Sequence, residues 1–120
     1  MKIIVAGGRD FTDYQLLKDK LKALIRELET NDIEIVSGCA RGADTWGSVF
    51  AKLHGHNVTE FPADWDKHGK KAGYLRNKEM AEYADILVAF WDGESKGTKH
   101  MIDLALKHKL ETHIFTYETT

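Results

Sequence analysis

The chain has 120 residues, 42% of them hydrophobic and 30% charged, with a formal net charge of -2. This predicts one folded domain over residues 1–120 rather than a disordered chain, and provides no general attraction for nucleic acid or a membrane surface. A single cysteine excludes an internal disulfide, and no apolar stretch approaches the roughly 20 residues of a membrane span, so a cytoplasmic location is expected.

Met1-Lys2 leads directly into Ile3-Ile4-Val5-Ala6, so Lys2 to Ala6 is the first expected strand. It runs into the glycine turn Ala6-Gly7-Gly8-Arg9-Asp10. A helix is expected from near Thr12, where Thr12-Asp13-Tyr14-Gln15 has capping-box form. Leu17, Leu21, Leu24 and Leu28 make its apolar stripe, and Asn31 is its expected stop. Ile33 to Ser37 is the second strand, followed by the turn Ser37-Gly38-Cys39-Ala40-Arg41-Gly42-Ala43-Asp44. The next helix places Ala43, Trp46, Phe50 and Leu53 on one face and takes Gly55 as its C-cap.

Asn57 to Phe61 is the third strand, and Asp64 to Asn77 is a long connection. That connection holds Trp65, His68, Gly69, Gly73 and Tyr74, and there is no acid between Lys67 and Lys78. A helix follows over roughly Ala72 to Tyr83, then a strand over Ile86 to Phe90. The third glycine turn, Asp92-Gly93-Glu94-Ser95-Lys96-Gly97-Thr98, precedes a helix expected to begin after Gly97, and His113 to Tyr117 is the last strand.

Five strands alternating with four helices predict an α/β, doubly wound, parallel five-stranded sheet. The first and fourth strands are continuous apolar runs, as strands buried on both faces are, whereas the third and fifth are mixed like edge strands. The expected order is therefore 3-2-1-4-5, with a crevice between strands one and four. Three glycine turns leading into helices on one sheet edge offer backbone N–H groups and helix dipoles to an anion, which points to a phosphorylated, nucleotide-like ligand.

Gly7, Gly8, Ser37, Gly38, Gly97 and Thr98 are the expected phosphate contacts, with Arg9 and Arg76 neutralising charge. Asp10 is either an acceptor for a ribose hydroxyl or a turn cap. Arg41 either binds ligand or pairs with Asp44; Asp44 is itself placed in the expected ligand-binding set, although a carboxylate in a first helical turn is favourable without any function. Trp65 either stacks on a base from a lid or plugs the core; Trp91 is open to the same two readings, and Trp46 is assigned to the core. Cys39 lacks an oriented base and is not expected to be a nucleophile. His54 and His56 match no metal-ligand spacing, so neither metal nor cofactor is expected.

Gly7-Gly8-Arg9-Asp10-Phe11, Ser37 through Asp44, Ala63-Asp64-Trp65, Gly73, Arg76-Asn77 and Met80 resemble the YspA/YpsA-related DUF2493 proteins of the SLOG superfamily. The resemblance covers nearly the whole chain and implies a Rossmann-like domain with a site for nucleotides or nucleotide-derived signals. It adds Asn77 to the ligand-binding set. Arg76-Asn77-Lys78-Glu79-Met80 and Asp92 through Thr98 are also similar to two motifs of the LOG-type phosphoribohydrolases. The glutamate that completes the second of those motifs is replaced here by Met101. Ser37 to Gly42 is similar to a stretch of the DprA-type single-stranded-DNA binders.

The expected function is binding of a phosphorylated nucleoside or nucleotide-derived signal, such as an ADP-ribose-like molecule, as sensor or sequestering protein and without turnover. An N-glycosidase would instead draw on Arg76, Glu79, Asp92 and Glu94. Single-stranded nucleic-acid binding is the other alternative, and a homodimer is the expected assembly.

Overall fold

The computed structural model describes residues 1–118. Strands β1 (Lys2–Gly7), β2 (Glu34–Ser37), β3 (Asn57–Glu60), β4 (Ile86–Trp91) and β5 (Glu111–Thr116) form one sheet in the order β3-β2-β1-β4-β5. Every neighbouring pair is parallel. The helices are α1 (Tyr14–Leu28), α2 (Ala43–Leu53), α3 (Trp65–His68), α4 (Ala72–Tyr83) and α5 (Lys96–Lys107), with a 3-10 turn at Gly69–Lys71. The expected architecture and strand order are both observed.

Alternate residues of a strand face opposite sides of its sheet. Ile3 and Val5 pack with Leu17, Leu21 and Phe50, so α1 and α2 cover one face. Ile4 and Ala6 pack with Met80, Met101 and Ala105, so α4 and α5 cover the other. β3 and β5 carry partly exposed residues, as strands at the sheet margins do. Strand order reverses between β1 and β4, and their carboxyl ends are where an open α/β sheet leaves a crevice.

Several expected boundaries move, each for a local reason. The N-cap of α1 is Asp13 rather than Thr12, because the Asp13 carboxylate accepts from the Leu16 N–H at 3.1 Å. α1 ends at Glu29, which turns left-handed at φ 53°, before Asn31 is reached. α2 is capped by His54, and Gly55 at φ 74° supplies the left-handed turn one residue later. That turn lets the His56 N–H reach the Ala51 carbonyl at 2.8 Å. Leu53, expected on the core face, is 69% exposed.

The long connection expected from Asp64 is mostly helical. Asp64 caps α3 by accepting from the Lys67 N–H at 3.1 Å, and the 3-10 turn leads directly into α4. α5 starts at Lys96, ahead of Gly97, because Ser95 takes the N-cap position and its Oγ accepts from the Thr98 N–H. β5 begins at Glu111 and ends at Thr116, leaving Tyr117 beyond the strand.

Candidate functional site

A cavity of about 510 Å³ opens at the carboxyl ends of β1 and β4. Ala6, Gly7, Gly8, Arg9 and Asp10 line it from β1 and its turn. Gly73, Tyr74, Arg76, Asn77 and Met80 line it from α4, and Asp92, Ser95, Gly97, Thr98 and Met101 from α5 and the loop before it. Ala40, Asp44, Trp65 and Lys70 complete it.

A second cavity of about 290 Å³ shares Arg9, Ala40, Trp65 and Arg76 with the first. Gly38, Cys39, Arg41, Pro62 and Ala63 are its other walls.

The backbone of the β1 turn is committed to the fold. The Gly8 N–H donates to the Phe90 carbonyl at 3.2 Å, and the Gly8 carbonyl accepts from Phe11 and from Ala43, the first residue of α2. A Cβ on Gly42, which sits at φ 79°, would collide with that same carbonyl. A Cβ on Gly8 would collide with the Tyr117 hydroxyl, which donates to Asp10 at 2.6 Å. Burial, together with the Asp10 carboxylate, pushes the Tyr117 phenol upward, so it stays a donor. Glycine is thus required here by packing, and Gly8 offers the cavity no open amide.

The β2 turn is also filled from within. Ser37 is buried and its Oγ accepts from the Cys39 N–H at 3.1 Å, so it lines neither cavity. Asp44 is buried and accepts from the Ala40 N–H at 3.3 Å. Burial raises its carboxyl to about 6, against the opposing pull of the Ala40 N–H and the Arg76 charge. No Arg41–Asp44 ion pair forms among the described residues; Arg41 is exposed on the smaller cavity. Cys39 donates to Glu60 at 3.1 Å, and burial lifts its thiol to about 11, so it stays protonated.

Arg76 bridges the two halves of the edge. Its Nη1 donates to the Gly38 carbonyl and its Nε donates to Asn77 Oδ1 at 3.0 Å. Asn77 is buried, and its Nδ2 reaches His100 Nδ1 at 3.2 Å and the Gly97 carbonyl at 3.5 Å. Trp91 does not line the cavity: its Nε1 donates to the Ser95 carbonyl at 3.1 Å and braces the loop before α5. Trp65 is 52% exposed over both cavities, so it does not plug the core.

The wall formed by α5 is different. Asp92 turns the loop by accepting from the N–H groups of Glu94 at 2.9 Å and Ser95 at 2.7 Å, which hold its carboxyl below the usual range. Ser95 Oγ accepts from the Thr98 N–H at 3.5 Å and lies 3.2 Å from the Thr98 hydroxyl. Among the described residues no acceptor meets the N–H groups of Lys96 and Gly97. Gly97 has ordinary backbone angles, and nothing lies within 4 Å of the place its Cβ would take. Of the ten glycines it is the one that neither a positive φ nor a neighbour requires.

Glu79 and Glu94 are exposed and line neither cavity, while Met101 is buried and lines the larger one. Ser95 is the site residue that sequence reasoning does not single out; a hydroxyl three residues before Thr98 at a helix start is the signal for it. Among the described residues no three His, Cys, Asp or Glu side chains cluster as a metal-binding set. No described helix is long and apolar enough to cross a membrane.

A model of the family described as the YspA, cpYpsA-related SLOG family matches residues 1–68. The chain is 39% identical over 117 residues to the Gene 61 protein of Mycobacterium phage D29, covering 88% of this chain and 89% of that protein. Its fold is similar to that of DNA processing protein A (DprA) from Streptococcus pneumoniae, with a TM-score of 0.72 at 18% identity. That likeness covers 94% of this chain and 49% of DprA, so the chain spans about half the DprA length.

Proposed function

Because the chain belongs to the YspA, cpYpsA-related SLOG family, we propose that it binds a phosphorylated nucleoside or nucleotide-derived signal in the larger cavity, as a sensor or sequestering protein without turnover. The carrying observation is Gly97. It opens α5 beside two N–H groups that meet no acceptor, at a position where the fold has no need of glycine. A helix N-terminus of this kind suits a phosphate, and a missing Cβ lets one approach the backbone. Arg76, on the neighbouring helix α4, lines the same cavity with a guanidinium able to pair with that phosphate. Trp65 and Tyr74 offer aromatic faces to a base, and a volume of about 510 Å³ is in the range of small-molecule sites.

Turnover is disfavoured because Met101 replaces the glutamate of the LOG-type motif and the carboxylate of Asp92 is occupied by backbone N–H groups. A homodimer belongs to the same reading, on the support of Leu106 and Ile114, which are exposed on α5 and β5; light scattering in solution reports it.

The test is calorimetric titration with nucleoside monophosphates and ADP-ribose, on the wild type and two variants. Arg76→Ala is expected to weaken binding by about 10- to 100-fold, the loss of one or two charge-assisted bonds. It also loses about 1 kcal/mol of stability, since the side chain ties α4 to Gly38. Arg76→Lys recovers only part of the affinity, because lysine lacks the planar fork. A large fall in melting temperature with unchanged affinity would assign Arg76 to the scaffold.

A second reading, single-stranded nucleic acid across the same edge, has support from exposed Trp65 and Tyr74 beside Lys67, Lys70 and Lys71. The DNA-processing name of the structural neighbour favours it as well. Tight binding of oligonucleotides, with no binding of mononucleotides, would select it.

A further inference from the structure

The two cavities differ in charge. The larger is lined by Arg9, Lys70 and Arg76 against Asp10, Asp44 and Asp92, which balance them. The smaller is lined by Arg9, Arg41 and Arg76, and no Asp or Glu is among its walls. Glu60 approaches it only behind Cys39, whose thiol donates to that carboxylate. Among the described residues none of the three arginines forms an ion pair. Three like charges around about 290 Å³ repel one another, and the buried Asp44 carboxylate, which attracts Arg76 without forming an ion pair, offsets only part of that charge. Arg9, Ala40, Trp65 and Arg76 belong to both cavities, so the two adjoin along these four residues.

We propose that the smaller cavity is a second anion subsite, so that the ligand carries a chain of two or more phosphates running from the larger cavity into the Arg9–Arg41–Arg76 pocket. This rests on the nucleotide reading above and narrows it. The preferred class is a nucleoside di- or triphosphate, or a dinucleotide joined through a pyrophosphate, over a nucleoside monophosphate. Arginine suits the role because its guanidinium stays charged and presents several N–H groups to phosphate oxygens. Arg41 is the diagnostic residue. It lines only the smaller cavity, is exposed, and forms no ion pair among the described residues, so its replacement leaves the fold intact.

The test titrates the full chain, without divalent cations, with AMP, ADP, ATP, GMP, GDP, GTP and inorganic tripolyphosphate. The wild type is expected to bind at least one diphosphate about 10-fold more tightly than its monophosphate, the equivalent of one charge-assisted bond. Arg41→Gln should collapse that preference to about twofold or less, with an unchanged melting temperature. Equal affinity for mono- and diphosphates overturns the subsite, and so does a preference that Arg41→Gln leaves intact. If no nucleotide binds but tripolyphosphate does, and Arg41→Gln abolishes it, the nucleotide reading falls while the anion subsite stands. If tripolyphosphate fails as well, both fall. A 5′-phosphorylated single-stranded oligonucleotide that binds more tightly than any mononucleotide and depends on Arg41 would assign the pocket to a nucleic-acid strand and overturn the small-molecule class.

Discussion

The turn after β2 and the turn that opens α5 look alike in sequence, yet the fold draws on their N–H groups to different degrees. In the β2 turn the Ser37 hydroxyl takes the Cys39 N–H, the Asp44 carboxylate takes the Ala40 N–H, and the Gly8 carbonyl takes the Ala43 N–H, while those of Arg41 and Gly42 meet no acceptor among the described residues. At α5 the Ser95 hydroxyl takes only the Thr98 N–H, and those of Lys96 and Gly97 meet no acceptor. A glycine turn before a helix is therefore a place where an anion can bind, and the protein itself can supply that anion. Asp44 does so at one turn, and at the other no carboxylate of the described residues takes the N–H groups of Lys96 and Gly97.

The largest effect that would break this contrast is expected at Gly42. Gly42→Ala places a Cβ against the Gly8 carbonyl in a left-handed conformation and should cost about 2–4 kcal/mol in denaturant unfolding. A loss below about 0.5 kcal/mol, the range of an ordinary surface change, would mean the β2 turn is not the rigid junction described.

Next in size is the pH response of Asp44. An unfolded carboxyl titrates near 3.8, and burial lifts this one to about 6 when folded. Below the lower value both states are protonated and the group contributes nothing. Between the two the folded state holds the extra proton, so stability falls as pH rises, by up to about 3 kcal/mol in all. Subtracting the stability of Asp44→Asn from that of the wild type across pH 3 to 7 should isolate this decline. A difference that is flat with pH would show that the carboxylate is not held in a costly place.

Smaller effects sharpen the α5 side. Ser95→Ala removes a helix cap and should lower stability by about 1 kcal/mol, measured by thermal unfolding. Gly97→Ala should reverse the sign, with stability unchanged or raised by up to about 1 kcal/mol, since alanine favours a helix and the space is open. Its affinity for the nucleotide should nevertheless fall. Unchanged affinity would remove the carrying observation for the proposed function.

The sheet was legible because its signal is local: Ile3 to Ala6 and Ile86 to Phe90 are continuous apolar runs, which suit strands at the centre of a parallel sheet. Helix starts were less legible, because Thr12 and Asp13 are adjacent and both are good caps; only the bond to the Leu16 N–H decides between them. The basic stretch after Asp64 reads as a loop because its lysines and glycines hide two short helical segments, neither long enough to show a period. The site divides in the same way. Gly7, Gly8, Arg76, Asn77, Gly97 and Thr98, singled out in the sequence, line the larger cavity together. Nothing in the pattern of residues shows that Ser37 turns inward, that Trp91 braces a loop, or that Asp44 fills its own turn. Those outcomes rest on side-chain to backbone bonds, Ser37 with Cys39, Trp91 with Ser95 and Asp44 with Ala40, whose rotamers a pattern of residue types does not specify.

The hydrogen bond from Tyr117 to Asp10 joins positions 107 residues apart, at the rim of the larger cavity. It closes the rim by a contact between the two ends of the sheet's chain order, since Asp10 follows β1 and Tyr117 follows β5. The Tyr117 N–H in turn bonds to the Trp91 carbonyl, so the brace on the wall around Gly8 and Asp10 holds only while β5 lies in register beside β4. A change that loosens this edge strand therefore reaches that wall without touching any residue of the β1 turn.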